Sequence, residues 1–307
     1  MINRRNTNIL VSLAFGVVGV AAGVLGTTAY YKSGDGIVNT KNVASTRDFS
    51  NQKEKESYSL GVMIAQQVQS TLTMGQMEVD NRSFINGLED SILQNTIPFS
   101  SDEIAQNVVN LQESANSTAK SHLENKALDK QSDLFTNGST PNLGTGEITL
   151  VEFFDYNCPH CRSLNSTMKD FVQNNNVRVL YRPIGLVSKG SQAAAVAALA
   201  AHKQNKFKEV HEALMATDKE ITEELVNEII SKVNLDNKQF EQDLKSSDVE
   251  QQASNNRKIF LELGLRGVPS VFAAKLDADN KVSGNSLIYL SGDSSGTALL
   301  ETVNKLR

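Results

Sequence analysis

The fold of this chain is decided by Ile148-Thr149-Leu150-Val151-Glu152-Phe153-Phe154-Asp155-Tyr156-Asn157-Cys158-Pro159-His160-Cys161. It holds the only two cysteines in 307 residues, spaced Cys-x-x-Cys. The run from Ile148 to Phe154 is nearly continuous apolar, as a central strand buried on both faces would be. A helix-like run from Arg162 to Asn174 follows. Strand, tight turn and helix therefore put two thiols on the first helical turn, where unpaired backbone N–H groups and the helix dipole favour an anion. Such a pair is first of all a redox device. A structural zinc site needs four ligands, and there is no second cysteine pair for His160 to complete. An inert structural disulfide is the other bland alternative.

Outward from this stretch, Val177–Tyr181 reads as a second strand. Helical patterns then cover Ala193–Ala201, Phe207–Met215, Glu223–Val233, Lys238–Leu244 and Val249–Leu263. Val268-Pro269-Ser270-Val271-Phe272-Ala273 and Ser286–Leu290 are strand-like, and a closing helix begins near Thr297. Strand–helix–strand, a helical insertion over about 184–265, then two strands and a helix is an α/β arrangement, a thioredoxin fold with an inserted helical domain. Its expected extent is 138–307, after a Gly- and Pro-containing boundary at Gly138–Gly146.

N-terminal to that boundary the pattern is all-α. Leu60, Ile64, Val68 and Leu72 recur every four residues, and Met74-Gly75 breaks the helix. Asp80 caps a second helix carrying Phe84, Leu88 and Ile92. Ser100-x-x-Glu103 is a capping box that opens a third helix. No Gly or Pro interrupts that third helix before Asn137-Gly138, so it is expected to run as a stalk of ~50 Å at 1.5 Å per residue. Two short helices and a long one bury little core alone. Residues 53–137 are therefore read as a dimerisation domain with a stalk helix, interlocking two copies through 53–135, in preference to a small subdomain packed on its own chain.

Residues 1–31 form a membrane anchor or signal segment, and 32–52, rich in Ser, Gly, Asn, Thr and Lys, a flexible tether. Ile9–Tyr31 is free of charge and long enough for the ~30 Å hydrocarbon core. Arg4 and Arg5 before it place the rest of the chain outside the cytoplasm. A cleaved signal with a small-residue site at Thr27-Thr28-Ala29 is the other reading, and both export the cysteine pair. The net charge of -5 and pI near 5.5 argue against nucleic acid as a partner. Having both cysteines in one motif fits a compartment where stray thiols would be oxidised.

Three stretches carry a resemblance to the DsbA-like thiol:disulfide oxidoreductases of the bacterial envelope beyond the cysteine motif itself. They are Tyr181-Arg182-Pro183-Ile184, Phe207 to Met215, and Gly267-Val268-Pro269-Ser270. Residues 53–135 resemble the N-terminal dimerisation domain of FKBP-type prolyl isomerases of the macrophage infectivity potentiator kind. That likeness rests on Ser57-Tyr58-Ser59-Leu60-Gly61, Val79-Asp80, Phe84 to Leu88, Asp90 and Ser101-Asp102-Glu103. No FKBP catalytic domain follows, so prolyl isomerase activity is not carried over.

The first resemblance implies Cys158 as attacking thiol and Cys161 as resolving thiol. Pro159 suits the first helical turn, and His160 supports the Cys158 thiolate. It also implies a cis peptide at Pro269, where a Val-Pro would otherwise be an ordinary trans turn. That leaves the Val268 backbone to pair with substrate. Glu152, six residues before Cys158, is implied as a buried proton shuttle to Cys161, with Asp155 competing for the role. His122, His202 and His211 are read as surface residues. The expected activity is disulfide formation in exported cysteine-containing proteins, without cofactor or metal. Dimerisation would add isomerase activity, and a membrane redox partner would reset the cysteines. The alternative is a dimeric envelope chaperone or interaction protein in which the pair is structural or vestigial.

Overall fold

The computed structural model describes residues 47–135, 140–291 and 295–307. The expected span Ile9–Tyr31 and residues 32–46 of the expected tether lie outside them. Among the described residues no helix is long and apolar enough to cross a membrane. The chain divides into two compact units between Gln66 and Gln67.

Helix α1 covers Gln52–Met74. Its start is fixed locally, because the Asn51 carboxamide oxygen accepts from Glu54 N–H at 3.0 Å and Glu54 accepts from Ser50 N–H at 2.8 Å. Helix α2 covers Asn81–Leu93, with Asp80 accepting from Ser83 N–H as expected. Helix α3 covers Ser101–Asp129, and its Ser100/Glu103 capping box is present in both directions. Helices α1 and α2 bury no residue.

Helix α3 is long, but it stops eight residues before Asn137. Lys130 leaves the helical region, and a separate short helix α4, Gln131–Phe135, follows. No Gly or Pro marks this break. Tertiary packing makes it, because Ala127, Leu134 and Phe135 turn into a core shared with the sheet.

The sheet contains β1 (Asn142–Gly144), β2 (Ile148–Phe154), β3 (Val177–Pro183), β4 (Ser270–Leu276) and β5 (Val282–Ser291) in the order β1-β3-β2-β4-β5. β2 and β3 are parallel, and the other neighbours are antiparallel. Central β2 is buried at all seven positions. The short edge strand β1 lies where sequence showed only a Gly- and Pro-marked boundary. Gly144 has φ +78, and a side chain there would meet the Val177 carbonyl oxygen at 2.3 Å, so the turn out of β1 requires glycine.

Helix α5 (Pro159–Asn175) joins β2 to β3. The insertion is five helices: α6 (Lys189–His202), α7 (Phe207–Met215), α8 (Glu223–Ser231), α9 (Asn237–Leu244) and α10 (Ser247–Leu263). Helix α11, Gly296–Leu306, closes the fold. Each expected element is present, with ends shifted by a few residues. Ile148, Leu150 and Phe154 point from β2 into the layer of α5 to α9, whereas Val151 and Phe153 point to α3, α4 and α10.

Arg182 on β3 is fully buried in that second layer. Its Nη1 donates to Asn256 Oδ1 at 3.0 Å, and Nη2 donates to the carbonyls of Asp133 at 2.6 Å and Leu134 at 3.0 Å. Burial pulls the guanidinium down to about 10. The planar fork satisfies three acceptors on two helices at once, which a lysine ammonium at the end of a flexible stem cannot do. An Arg182→Lys variant is expected to lose about 2–3 kcal/mol of stability, from unpaired buried carbonyls. Urea unfolding checks this, and an unchanged midpoint would remove Arg182 as the fastener of α4.

Candidate functional site

β2 delivers the chain to the site. After Phe154 the backbone leaves the sheet, and Cys158 becomes the N-cap of α5 with Pro159 as its first residue. Pro159 needs no N–H partner there. Pro159 and His160 are exposed. No hydrogen bond or ion pair joins His160 to Cys158 among the described residues. Both thiols are free and buried. Cys158 keeps 7 % of its surface, whereas Cys161, one turn in, keeps none.

The Val268–Pro269 peptide is cis, as the resemblance implied. The Cys158 thiol donates to the Val268 carbonyl oxygen at 3.4 Å. Residues 110 positions apart thus meet at one thiol. Ser270, first in β4, holds this loop by donating to the Gly267 carbonyl at 2.8 Å.

Asp155 and Glu152 have opposite surroundings. Asp155 accepts from Asn157 N–H at 2.8 Å, Leu186 N–H at 2.8 Å and Val187 N–H at 3.0 Å. These three backbone donors occupy the carboxylate structurally. They also hold Leu186 and Val187 beside the cysteine turn, with 45 % and 57 % of their surface exposed. Glu152 is 1 % exposed, and neither carboxyl oxygen has a hydrogen-bond partner among the described residues. It lies between Tyr181 of β3 and Val271 of β4, on the same face of the sheet as Cys161. Burial pushes its carboxyl up to about 8. Cys161 is also pushed up, first by burial and further by its proximity to Cys158 and Glu152. Glu152 is thus a neutral acid within electrostatic reach of a thiol that resists ionisation.

Three supporting residues were not singled out from sequence. Asn157 donates to Ser188 Oγ at 2.8 Å and to the Ile221 carbonyl at 2.9 Å, and accepts from Ile221 N–H at 2.6 Å. Arg162 donates to the Tyr156 carbonyl at 2.9 Å and to the Lys219 carbonyl at 3.0 Å. Together they pin the cysteine turn to the helical insertion. The third is His211, which is buried rather than on the surface. Its Nδ1 lies 3.1 Å from the Tyr156 hydroxyl and its Nε2 2.9 Å from Asn165 Oδ1. Phe207 stacks on it at 5.1 Å between ring centroids, and burial drives it down to about 3, so it is neutral. The signal was present: His211 follows Phe207 by four residues, on the stripe that Val210 and Leu214 continue. His122 is exposed, and His202 is half-buried.

Comparison with known proteins agrees with this geometry. Residues 149–289 match the DSBA-like thioredoxin domain, and residues 53–142 match the domain amino terminal to FKBP-type peptidyl-prolyl isomerase. Probable disulfide bond formation protein D of Bacillus cereus is 27 % identical over 164 residues, covering 48 % of this chain and 76 % of that protein. The solved thioredoxin-like oxidoreductase from Silicibacter pomeroyi is 32 % identical with a TM-score of 0.50, covering 57 % of this chain and 95 % of the other. The thiol-disulfide exchange protein alpha-DsbA2 from Wolbachia pipientis shares the fold, with a TM-score of 0.53 at 22 % identity over 60 % of this chain and 96 % of its own. A thiol at a helix N-cap against a cis-proline loop, on a thioredoxin sheet with a helical insertion, places this chain in the DsbA-like thioredoxin-domain family of thiol–disulfide oxidoreductases.

Proposed function

We propose that the protein makes disulfides in exported proteins, acting as a homodimer, with Cys158 exchanging with substrate and Cys161 resolving. The observation that carries this is the Cys158 thiol at the N-cap of α5, 3.4 Å from the Val268 carbonyl before cis Pro269. In the oxidising direction a substrate thiolate attacks Cys158 Sγ of the Cys158–Cys161 disulfide, and Cys161 leaves as a thiolate. A second substrate thiolate then attacks the substrate's sulfur in the mixed disulfide, and Cys158 leaves as a thiolate. Two electrons pass from substrate to protein, and a disulfide-bearing membrane partner accepts them. Cys158 leaves from the N-terminus of α5, where a helix dipole favours an anion, so it suits the leaving-group role. Cys161 has no such help and must take a proton. Glu152, neutral at pH 7, supplies it. Asp155, held by three backbone donors, positions the turn instead. Exposed Leu186 and Val187, with the Val268 backbone, offer surface to an unfolded substrate.

Dimerisation through 53–135 is supported by uncovered apolar surface. Fourteen of the eighteen exposed large hydrophobic side chains among the described residues fall between Tyr58 and Val108. Ile92 is 75 % exposed and Leu88 46 %, on one face of α2. A soluble monomer seldom leaves such a stripe open. Two sites held by one dimer would let one copy retain a scrambled substrate while the other attacks it, and this is the basis for isomerase activity. Export follows from Ile9–Tyr31, with the domain on the outer face of the cytoplasmic membrane.

Three outcomes test this reading. Cys161→Ser is expected to trap a mixed disulfide with a disulfide-bearing test protein on non-reducing gels, and Cys158→Ser to trap none. In the first variant the Cys158 thiolate attacks the substrate disulfide, a substrate thiolate leaves and no Cys161 thiol remains to release the adduct. The reverse pattern, or no adduct from either, refutes the assignment. Glu152→Gln is expected to slow oxidation of a dithiol peptide at pH 7, on the order of 10²-fold. It should also flatten the pH dependence of stability. With a folded value raised to about 8, wild-type stability is full below the ordinary glutamate range and falls as pH rises toward 8. The parallel loss in the Gln variant of both rate and slope would separate proton transfer from packing. Finally, the Leu88→Lys, Ile92→Lys double variant is expected to sediment as a monomer with an unchanged Tm for the oxidoreductase unit, and a dimer of unchanged strength would overturn the assignment of 53–135. Point variants are preferred to truncation because Leu134 and Phe135 fill the sheet's own core.

A further inference from the structure

We propose that the end of α1 and the second half of α3 form the far wall of a substrate groove beside Cys158, and that Lys126 and Arg266 make it select peptide segments with an acidic residue near the reacting cysteine. This rests on the exchange reading above and adds a substrate class to it.

A cavity of about 440 Å³ runs between these helices and the cis-proline loop. Met74, His122 and Lys126 line it from the helices, and Arg266, Val268 and Pro269 from the loop. The Val268 carbonyl is the atom that accepts from the Cys158 thiol at 3.4 Å, so one residue lining the groove touches the reacting sulfur. A chain segment extended along Val268 would run directly into it. The wall opposite the loop belongs to the part of the chain matched by the FKBP-associated domain, so a catalytic domain alone would lack it.

Lys126 and Arg266 are the formally charged side chains lining this cavity, and no carboxylate lines it. In a protein of net charge -5 this concentration of cation is local. Neither makes an ion pair among the described residues. The acid nearest Lys126 in sequence on α3, Glu124, is engaged elsewhere. It accepts from Tyr289 N–H at 2.9 Å and lies 3.8 Å from Lys120.

Both cations are also held in place. Arg266 Nη1 donates to the Met74 carbonyl at 3.4 Å. The Lys126 ammonium sits over Gly264, the C-cap of α10, only 3.5 Å from where a side-chain carbon would be. A cation is favoured at that negative helix end. Met74, 56 % exposed, adds an adaptable apolar contact for whatever side chain lies beside the acid.

The test uses the full-length oxidised protein and two cysteine peptides, identical except for Glu or Lys on both sides of the cysteine. Rates of reduction of the Cys158–Cys161 disulfide are measured by quenched mass spectrometry. Each is divided by the rate with 2-mercaptoethanol, a small neutral thiol. The Glu peptide is expected to react ~3- to 10-fold faster than the Lys peptide at low salt, a preference that shrinks at high salt. The Lys126→Glu, Arg266→Glu variant is expected to reverse the order. A ratio near one in the parent protein, or the same ratio in parent and variant, overturns the groove assignment. If even 2-mercaptoethanol fails to reduce the cysteine pair, the exchange reading itself falls, and the groove's role with it.

Discussion

Seven consecutive residues with no exposed face are the constraint on which this molecule depends. Strand β2 is buried at every position between β3 and β4. Each of its side chains must therefore suit one of two packed layers. Its C-terminal end can only leave the sheet at one place, and there the turn to α5 presents Cys158. The polar side chain that β2 sends into the layer of Cys161 is Glu152. It is tolerated because its carboxyl is held neutral, since an ionised carboxylate with no partner would cost far more there. The same burial that builds the sheet thus also sets the protonation of its one acid.

Around that strand, positioning is shared among distant segments. Asp155 ties the cysteine turn to the loop after β3. Asn157 and Arg162 tie it to the insertion near Lys219 and Ile221, and Val268 approaches it from beyond the insertion. The five-helix insertion is therefore more than a cap, because it supplies backbone partners for the residues that flank the cysteine pair.

Much of this could be read from sequence, and the reasons differ by residue. The apolar run Ile148–Phe154 and the Cys-x-x-Cys spacing are local signals, and local physics sufficed for the strand, the helix start and the caps at Asp80 and Ser100. Glu152 stood out because charge inside an apolar run is unusual. His211 was misjudged although its place on the Phe207–Leu214 stripe was visible, since a histidine in a helix is ordinarily solvated. Asn157 and Arg162 carry no local signal, as their partners lie 64 and 57 residues away. The break at Lys130 was equally invisible. Helix propensity runs straight through it, and burial of Leu134 and Phe135 overrides propensity.

Arg182 has an implication for how such a chain can be assembled. Its guanidinium sits on the oxidoreductase sheet, yet two of its three acceptors are carbonyls within the segment matched by the FKBP-associated domain. The two family segments abut in sequence but are not interchangeable parts. Grafting a different N-terminal module onto residue 143 or beyond would leave Arg182 buried without two of its three acceptors and a hole where Leu134 and Phe135 had packed. Any exchange of the N-terminal module would have either to carry α4 along or to change Arg182.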